Sequence, residues 1–286
     1  MAPSEMEATF ERNYARVERF GKLIRPQVRT IFDRLLEVRH LPGDAIEFGA
    51  YQGALSFFLG LCFRDLGLGK KVYMLDSFRG LPETDPAVDG PFRKGAMLAS
   101  LEVATELRAK LGLERVVEIC AGWFEDSVKR LPKEAAYCLA HLDADTYRST
   151  RTALEYLAPR LVQGGAIVLD DCVFHGATGV LLAAEEVLGK ELHLHLGPKT
   201  QAYAFPTGDP RHDRPDPVWK SLGGRQYDVA ALRARADYRQ LVEQEGAFFA
   251  ERAQWYRDYL ECVLGDGAPD DNAHRIASLI GVLHRR

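Results

Sequence analysis

Two short acidic clusters carry most of the chemistry this sequence can offer. In HLDADTY, residues 141–147, Asp143 and Asp145 stand one residue apart; in AIVLDDC, residues 166–172, Asp170 and Asp171 are adjacent. Each cluster follows an apolar run of strand character, 136–140 and 166–169. Four carboxylates held close together repel one another unless protons or a cation intervene. A hard divalent cation such as Mg²⁺ meets that need, because it takes oxygen ligands. If residues 143–145 are still extended, Asp143 and Asp145 share one face of the strand end. One carboxylate can then hold a cation while the other takes the proton of a hydroxyl that the cation has acidified. The plainer alternative is that Asp145 and Asp171 cap the helices that follow them. Asp171 is poorly placed for capping, since Cys172-Val173-Phe174 has no helical pattern.

Two further stretches have residue types suited to holding a ligand. In Glu47-Phe48-Gly49-Ala50-Tyr51-Gln52-Gly53 an acidic residue ends an apolar run, and two glycines punctuate the turn into a helix. Glycine lets backbone approach a ligand closely, and a helix start offers unpaired N–H groups. The spacing is not G-x-G-x-x-G, which disfavours a dinucleotide pyrophosphate. E-x-G-x-x-x-G suits S-adenosylmethionine instead, with the acidic residue near the charged amino-acid end; a tight strand–helix turn is the structural alternative. In Tyr73-Met74-Leu75-Asp76-Ser77-Phe78, Asp76 ends the next strand. A carboxylate there can accept from two ribose hydroxyls, or simply cap the next turn. Gly122-Trp123-Phe124 follows the third strand, and Trp123 is either an apolar wall for adenine or plain core.

These residues need a frame that brings strand ends together. Strand-like runs at 45–48, 71–76, 115–120, 136–142 and 165–170 alternate with helical patterns at 54–67, 96–111, 125–131, 149–161 and 177–188. Strict alternation predicts parallel strands with right-handed crossovers and helices on both faces. Two short runs, 191–196 and 201–206, suggest an antiparallel pair at one edge. The predicted fold is α/β, a Rossmann-like, mostly parallel sheet of seven strands. Such sheets bind ligands at the carboxyl ends of their strands, where all the residues above fall.

Around that core, residues 1–40 form an N-terminal helical segment with Val17, Phe20, Ile24, Val28, Ile31 and Leu35 on one face. Pro26 interrupts the pattern and predicts two helices or one bent helix. The binding core spans 41–208, and 209–286 is a linker followed by a helical extension bearing Phe248, Phe249, Trp255, Tyr256 and Tyr259. Three roles are open to that extension: covering the core, pairing two copies of the chain, or shaping a substrate pocket.

Bulk properties narrow the field. The chain has 286 residues, 47% hydrophobic and 27% charged, with a net charge of −4. That supports a full core and weighs against nucleic acid as a partner, which needs a basic face. No apolar run approaches the roughly 18 residues of a membrane span, and the start has no signal-peptide core, so a cytoplasmic protein is expected. The five cysteines have no C-x-x-C spacing and are expected to be buried free thiols.

In order and with fitting spacings, AIEFGAYQGALS, MLDSFRGLPE, AGWFEDSV, HLDADTYRST and GGAIVLDDC resemble the macrocin O-methyltransferase (TylF-type) family over roughly residues 40–205. The resemblance implies a class I methyltransferase using S-adenosylmethionine and a divalent metal, usually Mg²⁺, on a hydroxyl of a small molecule such as a sugar of a natural product. By position it implies Asp143, Asp170 and Asp171 as metal ligands and Asp145 as general base. Glu47, Gly49, Gly53 and Asp76 would hold the methyl donor, with Tyr51 and Ser77 in the same stretches. His175, just past the second acidic pair, is read as a surface-loop residue rather than a substrate contact. A catechol-like phenol as acceptor and a non-catalytic module built on the same fold are the competing readings. A serine hydrolase is disfavoured, because no G-x-S-x-G is present.

Overall fold

The computed structural model describes residues 3–172, 177, 179–189, 195–196 and 200–204. The segment from 209 onward, where a helical extension is expected, and Cys262 and His175 lie outside the described residues. Helices α1 (Pro3–Val17) and α2 (Arg25–Val38) precede an alternating series. It runs β1 (Asp44–Phe48), α3 (Ala54–Asp65), β2 (Val72–Asp76), α4 (Pro86–Asp89), α5 (Leu101–Leu111), β3 (Val117–Ala121), α6 (Phe124–Ser127), β4 (Tyr137–Leu142), α7 (Tyr147–Leu157), β5 (Leu161–Leu169), α8 (Gly179–Leu188), β6 (His195–Leu196) and β7 (Ala202–Ala204).

The seven strands form one sheet in the order β3-β2-β1-β4-β5-β7-β6. The first five are parallel, and β7 runs antiparallel to both β5 and β6, as the sequence pattern predicts. The order reverses between β1 and β4. Crossover connections leave these neighbours in opposite directions, which opens a crevice at their carboxyl ends.

Burial on both faces explains why the strands read as near-continuous apolar runs. All residues of β2 and β4 are buried. On one face, Ala45, Val72, Met74, Leu139, Ala166 and Val168 join a core with residues of α2 and α3. On the other, Phe48 meets Phe124 of α6 and Tyr156 of α7 edge-on. The N-terminal helices belong to this core: Phe10 of α1, Phe32 of α2 and Phe58 of α3 form a three-ring cluster with centroids 5.4–5.9 Å apart.

Several boundaries differ from the sequence expectation. The N-terminal break falls at residues 18–24, before Pro26 rather than at it. Pro26 sits in the first turn of α2, where its missing N–H costs nothing. Helix α5 starts at Leu101, where the Ser100 hydroxyl accepts from Val103 N–H, five residues later than the apolar pattern suggested. The short helix α4 falls between β2 and α5, where the sequence reading places no helix; Asp85 caps it. Cys62, Cys120, Cys138 and Cys172 are buried free thiols, as expected. No helix among the described residues is long and apolar enough to cross a membrane.

Candidate active site

The crevice between β1 and β4 is built by close backbone approach. Asp143 N–H donates to Phe48 C=O at 2.8 Å, and Asp170 N–H donates to Leu142 C=O at 2.8 Å. The ends of β1, β4 and β5 are thereby locked in step. Gly49 faces this junction with φ +83°, and a Cβ there would lie 1.8 Å from the Asp143 carbonyl oxygen. Only glycine fits. Gly53, at φ +87° before α3, is likewise enclosed by Met74 and Phe57.

Four acidic side chains converge on this edge, three of them as a tight set. Asp143, Asp145 and Asp171 each offer a carboxylate oxygen, and these oxygens lie within 4.8 Å of one another. Asp145 is 8% exposed and Asp171 is half-buried; both have positive φ (58° and 51°), so the chain turns sharply just past each strand end. Burial, reinforced by the charges of Asp171 and Asp170, holds the Asp145 carboxyl well above the usual carboxylate range; the Lys22 ammonium acts in the opposite direction. The Thr200 hydroxyl donates to Asp171 Oδ1 at 2.7 Å.

Asp170 is handled differently. It is 4% exposed, and both its oxygens take the side-chain amide of Gln27, at 2.8 and 3.1 Å. It is adjacent to the three-carboxylate set without belonging to it. Helix α7 is capped by the Thr146 hydroxyl, which accepts from Ser149 N–H, so Asp145 is not used as the cap.

The donor-side residues gather on the ends of β1, β2 and β3. Asp76 accepts Tyr51 N–H on Oδ2 at 2.8 Å and Phe78 N–H on Oδ1 at 2.7 Å. It thus pins the glycine turn, while each oxygen keeps a lone pair for another donor. Burial pushes its carboxyl up to about 6, against the pull of those two N–H groups. Ser77 is committed to its own turn: its hydroxyl donates to Gly80 C=O and accepts from Arg79 N–H. Trp123 is half-buried at the start of α6, next to Gly122, whose N–H donates to Asp76 C=O at 2.8 Å. The Tyr51 ring lies under the Lys22 ammonium, 4.6 Å from its centroid. Glu47 is 2% exposed and faces inward; it takes the Ser56 hydroxyl and lies 3.4 Å from His141 Nδ1.

The comparison with known sequences follows the same ground: residues 21–186 match the family model described as macrocin-O-methyltransferase (TylF). The chain belongs to the macrocin-O-methyltransferase family. Among its relatives is a Streptomyces olivaceus protein named 8-demethyl-8-(2,3-dimethoxy-alpha-L-rhamnosyl)-tetracenomycin-C 4'-O-methyltransferase. It is 35% identical over 140 residues, 46% of this chain and 53% of the relative. Mycinamicin III 3''-O-methyltransferase of Micromonospora griseorubida is 29% identical over 144 residues, 46% of this chain and 56% of the relative. The chain spans about half the length of the curated relatives it matches. Two solved structures share the macrocin-O-methyltransferase chain's fold. The calicheamicin methyltransferase CalS11 has a TM-score of 0.57 at 22% identity, covering 73% of this chain and 95% of that one. The O-methyltransferase NovP has 0.55 at 21% identity, covering 64% and 80%.

Three residues at this edge belong to none of the sequence motifs. Gln27 and Lys22 come from the N-terminal segment and Thr200 from the loop before β7. Gln27 alone left a trace: a polar residue four before Ile31, on the helix face that otherwise reads as apolar.

Proposed function

We propose that this protein is an S-adenosylmethionine- and divalent-metal-dependent O-methyltransferase whose acceptor is a hydroxyl of a small molecule, a sugar of a natural product. The observation that carries this reading is the pairing of two sites on one crevice. A glycine turn pinned by Asp76 lies on one side of the sheet's reversal point, and the Asp143–Asp145–Asp171 set lies on the other. The family membership and the named activities of its relatives support the same reaction class.

The residues present fit a cation. Their donor set is all oxygen, and three carboxylates this close are costly without positive charge between them. Asp143 and Asp171 would hold it, with Asp170 beside them. When bound, the donor's sulfonium supplies the methyl group and the cation supplies charge that acidifies a neighbouring hydroxyl. Asp76 would hold the donor's ribose through its remaining lone pairs, with Tyr51 and Trp123 beside it. Gly49 and Gly53 let the backbone come close, and Glu47 braces the start of α3 by accepting from the Ser56 hydroxyl. Asp145 takes the acceptor's proton, a role suited to a carboxyl whose basicity burial and like charge have raised. Holding donor and acceptor in register on these strand ends would contribute much of the acceleration.

The test is formation of S-adenosylhomocysteine with a panel of deoxysugar glycosides and catechols, with Mg²⁺ and with EDTA. Turnover of sugar hydroxyls that requires the cation is the expected result. Turnover of catechols alone would move the acceptor class, and EDTA-insensitive turnover would remove the metal from the mechanism.

A further inference from the structure

We infer that Gln27 is a positioning residue for this site, one that fixes Asp170 without cancelling its charge. The inference rests on the metal-dependent reading above. Gln27 is fully buried in the first turn of α2, and its amide nitrogen reaches both oxygens of Asp170, at 2.8 and 3.1 Å. The rest of the amide is occupied as well: Oε1 accepts Ile24 N–H at 3.1 Å, at the entrance to the helix. One end of the side chain is therefore tied to its own helix and the other to the acidic edge.

The chemistry of the donor matters. Asp170 is 4% exposed and sits one residue from Asp171, with its backbone bonded across to Leu142. A buried carboxylate with no donor is strongly disfavoured, and next to Asp145 and Asp171 it would rotate away. An arginine or lysine would anchor it more strongly, but would also neutralise it and repel a cation. A primary amide does neither. It satisfies the carboxylate and leaves the negative charge of the edge intact. The polypeptide leading into α2 brings a second group to the same region: the Lys22 ammonium lies 4.6 Å from the centroid of the Tyr51 ring. Helix α2 and the segment leading into it thus belong to the site as well as to the core.

Substitution at one atom separates this role from helix capping. Gln27→Glu keeps an oxygen for Ile24 N–H but turns the donor facing Asp170 into a like charge. Gln27→Met removes both functions at similar length, and Gln27→Asn keeps both chemistries one methylene short. Mg²⁺ affinity and S-adenosylmethionine affinity are measured by calorimetry for each, with KM and kcat for methyl transfer. The expected result is a loss of Mg²⁺ affinity of about tenfold or more in both Gln27→Glu and Gln27→Met, a comparable fall in kcat, and donor affinity within about threefold of wild type. Gln27→Asn should fall between, and it carries the test if either other variant does not fold. Mg²⁺ affinity at or above the wild-type value in Gln27→Glu overturns the inference, because the side chain would then serve only the helix. Wild-type protein that binds no Mg²⁺ removes the metal reading itself, and that failure is seen before any substitution is made.

Discussion

Replacing Asp145 by Asn should have opposite effects on stability and on catalysis. The Asp145 carboxyl lies 8% exposed with an oxygen within 4.8 Å of oxygens on Asp143 and Asp171. At that separation each pair of full charges repels by roughly 3 kcal/mol at an effective dielectric of about 20. Burial of the carboxyl, and after it this repulsion, favours the protonated form, so the folded protein holds a proton on Asp145 well above the usual range. A native state that binds more protons than the unfolded chain loses stability as pH rises from the unfolded carboxylate pKa toward the folded one. Asn carries no charge and removes that loss. In EDTA at pH 8, Asp145→Asn should therefore be more stable than wild type by about 1–3 kcal/mol, half or less of the summed full-charge repulsion. At pH 4 the two should be close. Turnover should fall by about 10²- to 10⁴-fold, the usual contribution of a general base. Thermal unfolding from pH 4 to 8.5 in EDTA, with S-adenosylhomocysteine formation alongside, checks both halves. A variant that is less stable than wild type at pH 8 would refute the repulsion argument, and wild-type turnover would refute the base assignment.

Further consequences follow from the same geometry. Gly49→Ala should cost about 3 kcal/mol or more, because its Cβ would meet the Asp143 carbonyl at 1.8 Å and φ is +83°; chemical denaturation measures it. Asp76→Ala should weaken S-adenosylmethionine binding by roughly ten- to a hundredfold, the value of hydrogen bonds to a charged acceptor, and leave Mg²⁺ affinity unchanged by calorimetry. Because burial raises the Asp76 carboxyl to about 6, donor affinity should decline as pH drops from 7 to 5. The same raised value means this group's contribution to stability is full below pH 4 and is lost as pH passes 6, a loss of roughly 3 kcal/mol that Asp76→Ala abolishes in a pH series of unfolding curves.

Much of the fold was legible because parallel strands buried on both faces leave uninterrupted apolar runs, and the crossovers between them leave helical periodicity. The Gly49 and Gly53 turn and the four aspartates were readable for a related reason: each ends such a run. Boundaries were less visible. Helix α5 begins where the Ser100 cap permits, not where Ala96-Met97-Leu98 turns apolar, and Met97 and Leu98 are exposed. The division of labour among the aspartates was not legible either. Alternation suggested that Asp143 and Asp145 share a face, and their oxygens do converge, though past the strand and through a positive φ at Asp145. That Asp170 takes Gln27 while Asp171 takes Thr200 depends on segments 143 and 29 residues away in sequence, and no local pattern encodes such contacts.

The most direct test of the account is calorimetric titration of S-adenosylmethionine and, separately, Mg²⁺ into wild-type protein and an Asp143→Asn/Asp171→Asn double variant. Wild type is expected to bind both, and the double variant to keep the donor while losing the cation. Wild type that binds the donor and no cation, or a double variant that binds Mg²⁺ as tightly as wild type, would contradict it.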